Sequence, residues 1–166
     1  MIFDVTEKLI INPKARNWCT MPYPGHPHGC TNYGKKPTCP PDAPLVQNHF
    51  DLDYPHWFAV IAFDLASHKK RMFERHPKWS ERQAVCVYYW QGKVRRALRS
   101  EAEGFTSELG LGAIYTLTPE AMGVNVLETA RRIGIPIKVK PTETVFKIAL
   151  VGFEKVGGEK IGDPDT

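Results

Sequence analysis

A chain of 166 residues, 42% hydrophobic and 24% charged, can bury one core and reads as a single domain spanning 1–166. Its net charge of +4 is only mildly basic, which admits an anionic partner without demanding one. No apolar run approaches the roughly 18 residues that cross a bilayer, and the opening "MIFDVTEKLIINPKAR" lacks the basic-then-apolar order of a secretion signal, so a cytoplasmic protein with no membrane partner is expected.

Met1 to Ile11 alternates loosely, as a short strand would. Residues 12–48 then run without a periodic pattern, too long for an ordinary connection. "HWFAVIAFDLA", His56 to Ala66, is a continuous apolar run that reads as a buried strand, and "SHKKRMFER" as a basic helix that stops before Pro77. Ser80 and Gln83 stand at capping-box spacing and predict a helix to about Glu103, with Val87, Trp90, Val94 and Leu98 facing the core. "LGAIYTL" reads as a strand. Thr118 and Pro119 open, and Gly134 closes, a predicted helix over Glu120–Ile133 with Met122, Val126, Ala130 and Ile133 as its core stripe. "IPIKVK" and "TVFKIALVGF" read as two last strands about Pro141, and 157–166 as a frayed tail. The expected fold is α/β or α+β: a small mixed sheet with about three helices, an α/β core over 49–156, and the 12–48 loop packed on it.

That loop holds "WCTMPYPGHPHGCTNYGKKPTCPP", Trp18 to Pro41, with three of the four cysteines and two of the six histidines. Pro and Gly bar it from helix and strand, and a reducing compartment makes structural disulfides a poor explanation. Metal binding would supply the order that a core does not. Cys19, Cys30 and Cys39 are separated by ten and eight residues, with no C-x2-4-C pair of the kind that seats zinc. Gly29 lets backbone approach closely, Gly34 can take positive φ, and Pro40 follows Cys39 as in ferredoxin ligand runs. Three thiolates can hold a [4Fe–4S] cluster and leave one iron open, or, with a further ligand, a zinc ion. Cys86, His26 or His28 could complete either set. The plain alternatives are that Cys86 is a small buried hydrophobe and that the two histidines are loop-packing or surface residues.

On a continuous helix from Ser80, the residues Arg82, Cys86, Tyr89, Lys93 and Arg96 recur at steps of three and four and share one face. With Lys35 and Lys36 of the loop they would make an electropositive pocket that lowers thiol pKa values and draws an anionic small molecule or nucleotide. A solvated basic face is the ordinary alternative. A nucleic-acid surface, with Tyr88, Tyr89 and Trp90 for stacking, is another.

"GCTNYGKKPTCPP" and "LTPEAMGVNVLETARRIGIPI" together resemble an uncharacterised family of bacterial and archaeal predicted metal-binding proteins. Its Cys…Tyr-Gly-Lys…Cys-Pro-Pro signature is matched by Cys30, Tyr33, Gly34, Lys35, Cys39, Pro40 and Pro41, and its later block by Glu120, Ala121, Gly123, Val126, Thr129, Ala130 and Gly134. Members carry a second cysteine cluster upstream of that block, where this chain has "ELGLGAIYTL" and no cysteine. The resemblance therefore implies one metal centre, at Cys19, Cys30 and Cys39. The resulting expectation is an iron–sulfur enzyme in which Cys86 and Lys35 are catalytic and Arg82, Tyr89, Lys93 and Arg96 bind substrate. The rivals are a zinc-stabilised nucleic-acid module and a single-cluster electron carrier.

Overall fold

The computed structural model describes residues 1–22 and 26–161. Four strands form one sheet in the order β1-β2-β4-β3: β1 is Ile2–Asp4, β2 Trp57–Asp64, β3 Ala113–Thr116 and β4 Thr144–Phe153. The mixed α/β class is as expected, but the sheet is not the mixed one expected: every pairing among its four strands is antiparallel. The central pair runs in full register from Trp57 opposite Val151 to Asp64 opposite Thr144.

Alternation along β2 and β4 divides the core between the two faces. Phe58, Val60, Ile148 and Leu150 point to one side, where Val5, Val46, Phe50, Met122 and Val126 cover them. Ala59, Ala149 and Val151 point to the other, under Leu98 and Ala102 of the long helix α4, Gln91–Leu109. At about 1.5–3 kcal/mol for each fully buried large side chain, these two faces hold the fold together. Leu65, Trp90 and Val94 form a third cluster beside Phe63 and Val145.

Among the described residues five α-helices replace the roughly three expected: α1 Val46–His49, α2 Leu65–Arg75, α3 Glu81–Ala84, α4, and α5 Val126–Arg132. The helix predicted from Ser80 to Glu103 is broken. Its capping box forms, with Ser80 Oγ accepting from Gln83 N and Gln83 Oε1 accepting from Ser80 N. The chain nevertheless leaves the helix at Val85, makes a 3₁₀ turn over Val87–Tyr89 and restarts at Gln91. Trp90 is the cause. Its ring stacks on Phe63 at 4.8 Å and its Nε1 donates to Val85 O at 3.1 Å, so a carbonyl that a helix would use is taken by a buried indole. Val87, expected in the core, is 47% exposed.

The helix predicted over Glu120–Ile133 is also two pieces, a 3₁₀ turn at Pro119–Met122 and then α5. Gly123 between them is left-handed (φ +86), and a bridge from Val124 to Ile11 occupies the gap. The core stripe survives the break: Met122, Val126 and Ala130 are buried and Ile133 packs against them. "IPIKVK" is not a strand. Pro136 withholds a ladder donor, and the segment packs Ile135 and Ile137 on the core as coil. The tail is docked rather than frayed as far as Ile161, with Glu159 N donating to Asn48 O and Ile161 against the first cluster. The rest of the predicted tail, 162–166, lies outside the described residues.

Candidate metal centre

The cysteine-bearing coil is ordered by backbone hydrogen bonds rather than by apolar burial. A 3₁₀ helix over Pro13–Thr20, capped by Asn12, delivers Cys19. Cys30 N donates to Cys19 O at 2.7 Å, which clasps the two cysteine-bearing segments together. Gly34 N donates to Pro40 O at 2.8 Å and closes the turn between Cys30 and Cys39. The Arg16 guanidinium ties the coil's start to its end, donating to Pro41 O at 2.7 Å and Ala43 O at 2.9 Å. Thr118 Oγ1 donates to Thr38 O at 3.1 Å and pins the coil beside β3. The Pro40–Pro41 peptide is cis.

Cys19, Cys30 and Cys39 are each half-buried and lie within one another's electrostatic reach. Burial pushes the Cys19 thiol up, and the neighbouring Cys30, Cys39 and Glu120 push it further, against Arg16. Burial also raises Cys39, helped by Cys30 and opposed by a hydrogen bond from Thr38 and by Lys36 and Arg95. The expected lowering of thiol pKa is thus reversed at Cys19 and Cys39, where burial is the main cause and a neighbouring negative group adds to it. Glu120 is only partly buried as a residue, yet desolvation of its carboxyl pushes that pKa up too.

Among the described residues, no three His, Cys, Asp or Glu side chains already stand close enough to share one metal ion. A tetrahedral zinc, with bonds of about 2.3 Å to sulfur, needs its ligands in mutual contact. A cubane takes each thiolate on a separate iron and so accepts sulfurs that are neighbours without touching. The donor set, three thiols and no clustered histidine, fits the cubane better. His28 is exposed and His26 half-buried, in a stretch whose residues 23–25 lie outside the described ones.

Cys86 stays in its own segment, half-buried, its amide donating to Gln83 O and its carbonyl accepting from Tyr89 N. Because the helix is broken, Arg82, Tyr89, Lys93 and Arg96 do not form one continuous stripe; all four are exposed. Lys35 is exposed as well, and it is Lys36 whose charge reaches Cys39.

The residues that sequence reasoning passed over are Arg95 and Arg99. A cavity of about 370 Å³ opens beside Thr38, the neighbour of Cys39, and both arginines line it. Six consecutive residues, 113 to 118, line it too. Side chains of a strand alternate faces, so a cavity that meets them all must run along the strand's edge, and β3 is an edge strand. Helix α4 walls one side through Arg95, Arg99 and Thr106, and the layer holding Thr38, His49 and Ile161 walls the other. The available signal was the four-residue step from Arg95 to Arg99, obscured by extending the stripe from Arg82 through a break. A site of this size, with apolar walls and a few polar groups, suits a small molecule. Comparison with protein-family models, with curated protein sequences and with solved structures returns no match for this chain.

Proposed function

We propose that the chain is a metalloprotein in which Cys19, Cys30 and Cys39 hold an iron–sulfur centre of the [4Fe–4S] type, and that it acts as an enzyme on a small anionic molecule seated in the adjoining cavity. The observation that carries this reading is a coincidence of place. Three thiols from a coil with no core of its own lie within one another's electrostatic reach, and Thr38, the neighbour of one of them, lines an arginine-bearing cavity. Thiolates that repel one another are stabilised together by a cation, and a cluster supplies it. With three protein ligands one iron stays available to the substrate, which suits Lewis-acid chemistry or removal of sulfur from a thio-substrate. Arg95 and Arg99 would hold the substrate's negative group, and Lys36 would offset the charge at Cys39. The Thr38–Thr118 bond ties the coil to the end of β3, and would hold a centre on Cys39 close to the cavity that Thr38 lines.

Oxygen-free purification tests this directly. The expected protein is brown, absorbs near roughly 400 nm and carries several irons and sulfides per chain. Replacing Cys19, Cys30 or Cys39 by Ser should each remove most of the iron, whereas Cys86→Ser should leave it in place. A colourless protein with a single zinc would overturn the cluster, and iron lost from Cys86→Ser alone would overturn the ligand set.

A further inference from the structure

Between α2 and α4 the chain places aromatic rings where solvent reaches them. His76 and Trp79 stack with centroids 4.0 Å apart and planes 11° from parallel. Trp79 stacks in turn on Tyr89 at 5.2 Å and 30°. Tyr88 meets Tyr89 edge-on at 5.7 Å, and Tyr88 is 86% exposed. None of these four rings belongs to the core beneath, where Trp90 serves instead. Tyr88 and Tyr89 lie on the 3₁₀ turn within the break, and Tyr89 meets Trp79 there, so the interrupted helix has a consequence at the surface as well as in the core.

Charge is concentrated in the same stretch. Residues 69 to 99 hold ten of the 22 Lys and Arg but two of the 18 Asp and Glu, a formal charge of +8 against −4 for the rest of the chain. One of the two acids, Glu81, is ion-paired with Lys69. Lys78, Arg82, Lys93 and Arg96, all exposed, lie in the same stretch of chain as the rings. The modest overall charge therefore conceals a strongly divided one.

We propose that this surface binds single-stranded nucleic acid, with bases stacking on the exposed rings and the flanking lysines and arginines holding phosphates. Flat ring faces beside cations are what unpaired bases need, because every base has a π-face and every linkage a charge. A duplex keeps its base faces covered and would use only the cations. An acidic protein would likewise leave the rings idle. A membrane surface would call for an amphipathic helix with aliphatic side chains, whereas these rings sit on turns between helices. The rings and the cations named with them include no residue of the cysteine coil, and their binding does not require a metal there.

Fluorescence anisotropy with labelled oligo-U and oligo-dT of about 15 nucleotides, and with a duplex of the same length, tests it on the intact protein. Both single strands should bind, and the duplex at least about tenfold more weakly. Each base stacked on a ring is worth about 1–3 kcal/mol, so Tyr88→Ala should weaken binding about fivefold or more. That ring is too exposed for its loss to disturb the fold. The logarithm of affinity should fall with the logarithm of salt at about −0.7 per phosphate held, and Arg82→Gln with Lys93→Gln should flatten that slope by about 1.4. Equal binding of the duplex, an unchanged affinity in Tyr88→Ala, a slope the double variant does not alter, or equally salt-dependent capture by phosphatidylserine vesicles would each overturn the proposal.

Discussion

At position 29 the side chain is excluded by its neighbours' backbone. Gly29 is left-handed (φ +82), and a Cβ there would stand 2.5 Å from Cys19 O and 2.7 Å from Thr20 C. The same carbonyl accepts the Cys30 amide, so the glycine and the clasp between two cysteines are one feature. Left-handed backbone costs an L-residue about 1–2 kcal/mol, and the clash can be relieved only by moving Cys19 away. Gly29→Ala should therefore cost about 2 kcal/mol or more and, on the proposed reading of the cysteines, lower the metal bound per chain. Gly34 offers the control: it is also left-handed (φ +66), but a Cβ there meets nothing within 4 Å. Gly34→Ala should cost about 1 kcal/mol and leave the metal content unchanged. Metal analysis and thermal melts of the two variants, side by side, separate crowding at the clasp from backbone strain alone. Equal losses in both would mean that the close approach at Gly29 is unimportant.

The elements show which signals in a chain are local and which are not. Strands β2 and β4 were legible because their apolar runs are long, and β4 begins and ends where the sequence suggested. Capping chemistry at Ser80 was legible for the same reason, since both partners lie within one turn. The helix breaks were not. At Val85 the deciding contact is between Trp90 and Phe63, 27 residues earlier, and at Gly123 it is the pairing of Val124 with Ile11. The cysteines were legible as candidate ligands, but the cavity near them was not, because it depends on the edge position of β3. The second break makes a sharp prediction. Asn125, not Thr118, caps α5, its Oδ1 accepting from Glu128 N at 3.1 Å. Asn125→Ala should cost about 1 kcal/mol, lowering Tm by about 2–4 °C in a domain of this size, with metal content intact. Thr118 makes no capping bond and spends its hydroxyl on Thr38 O. Thr118→Val should leave Tm nearly unchanged and speed metal loss to a chelator. The opposite pattern would restore Thr118 as the cap.

As a whole, the molecule keeps its stability and its candidate chemistry in different layers. The two large apolar clusters are built on β2 and β4, and the cysteine coil adds few buried side chains of its own, among them Ala15 and Ala43. Its order comes instead from a small number of hydrogen bonds and, on the proposed reading, from the metal. A domain whose core is the ligand set unfolds when the metal leaves, as zinc fingers do. This one should not. Stripping the centre anaerobically should leave the far-ultraviolet dichroism and a cooperative thermal transition in place, because β2, β4 and α4 remain packed. Amide hydrogen exchange should rise sharply in the coil, above all at Cys30, Gly34 and Ala43, whose amides donate within it, while Val60 and Leu150 in the centre of the sheet stay protected. Collapse of the whole transition on metal removal would mean that the coil is part of the core. No change at those three amides would mean that hydrogen bonding alone orders the coil, and that the thiols gather there without a metal to hold them.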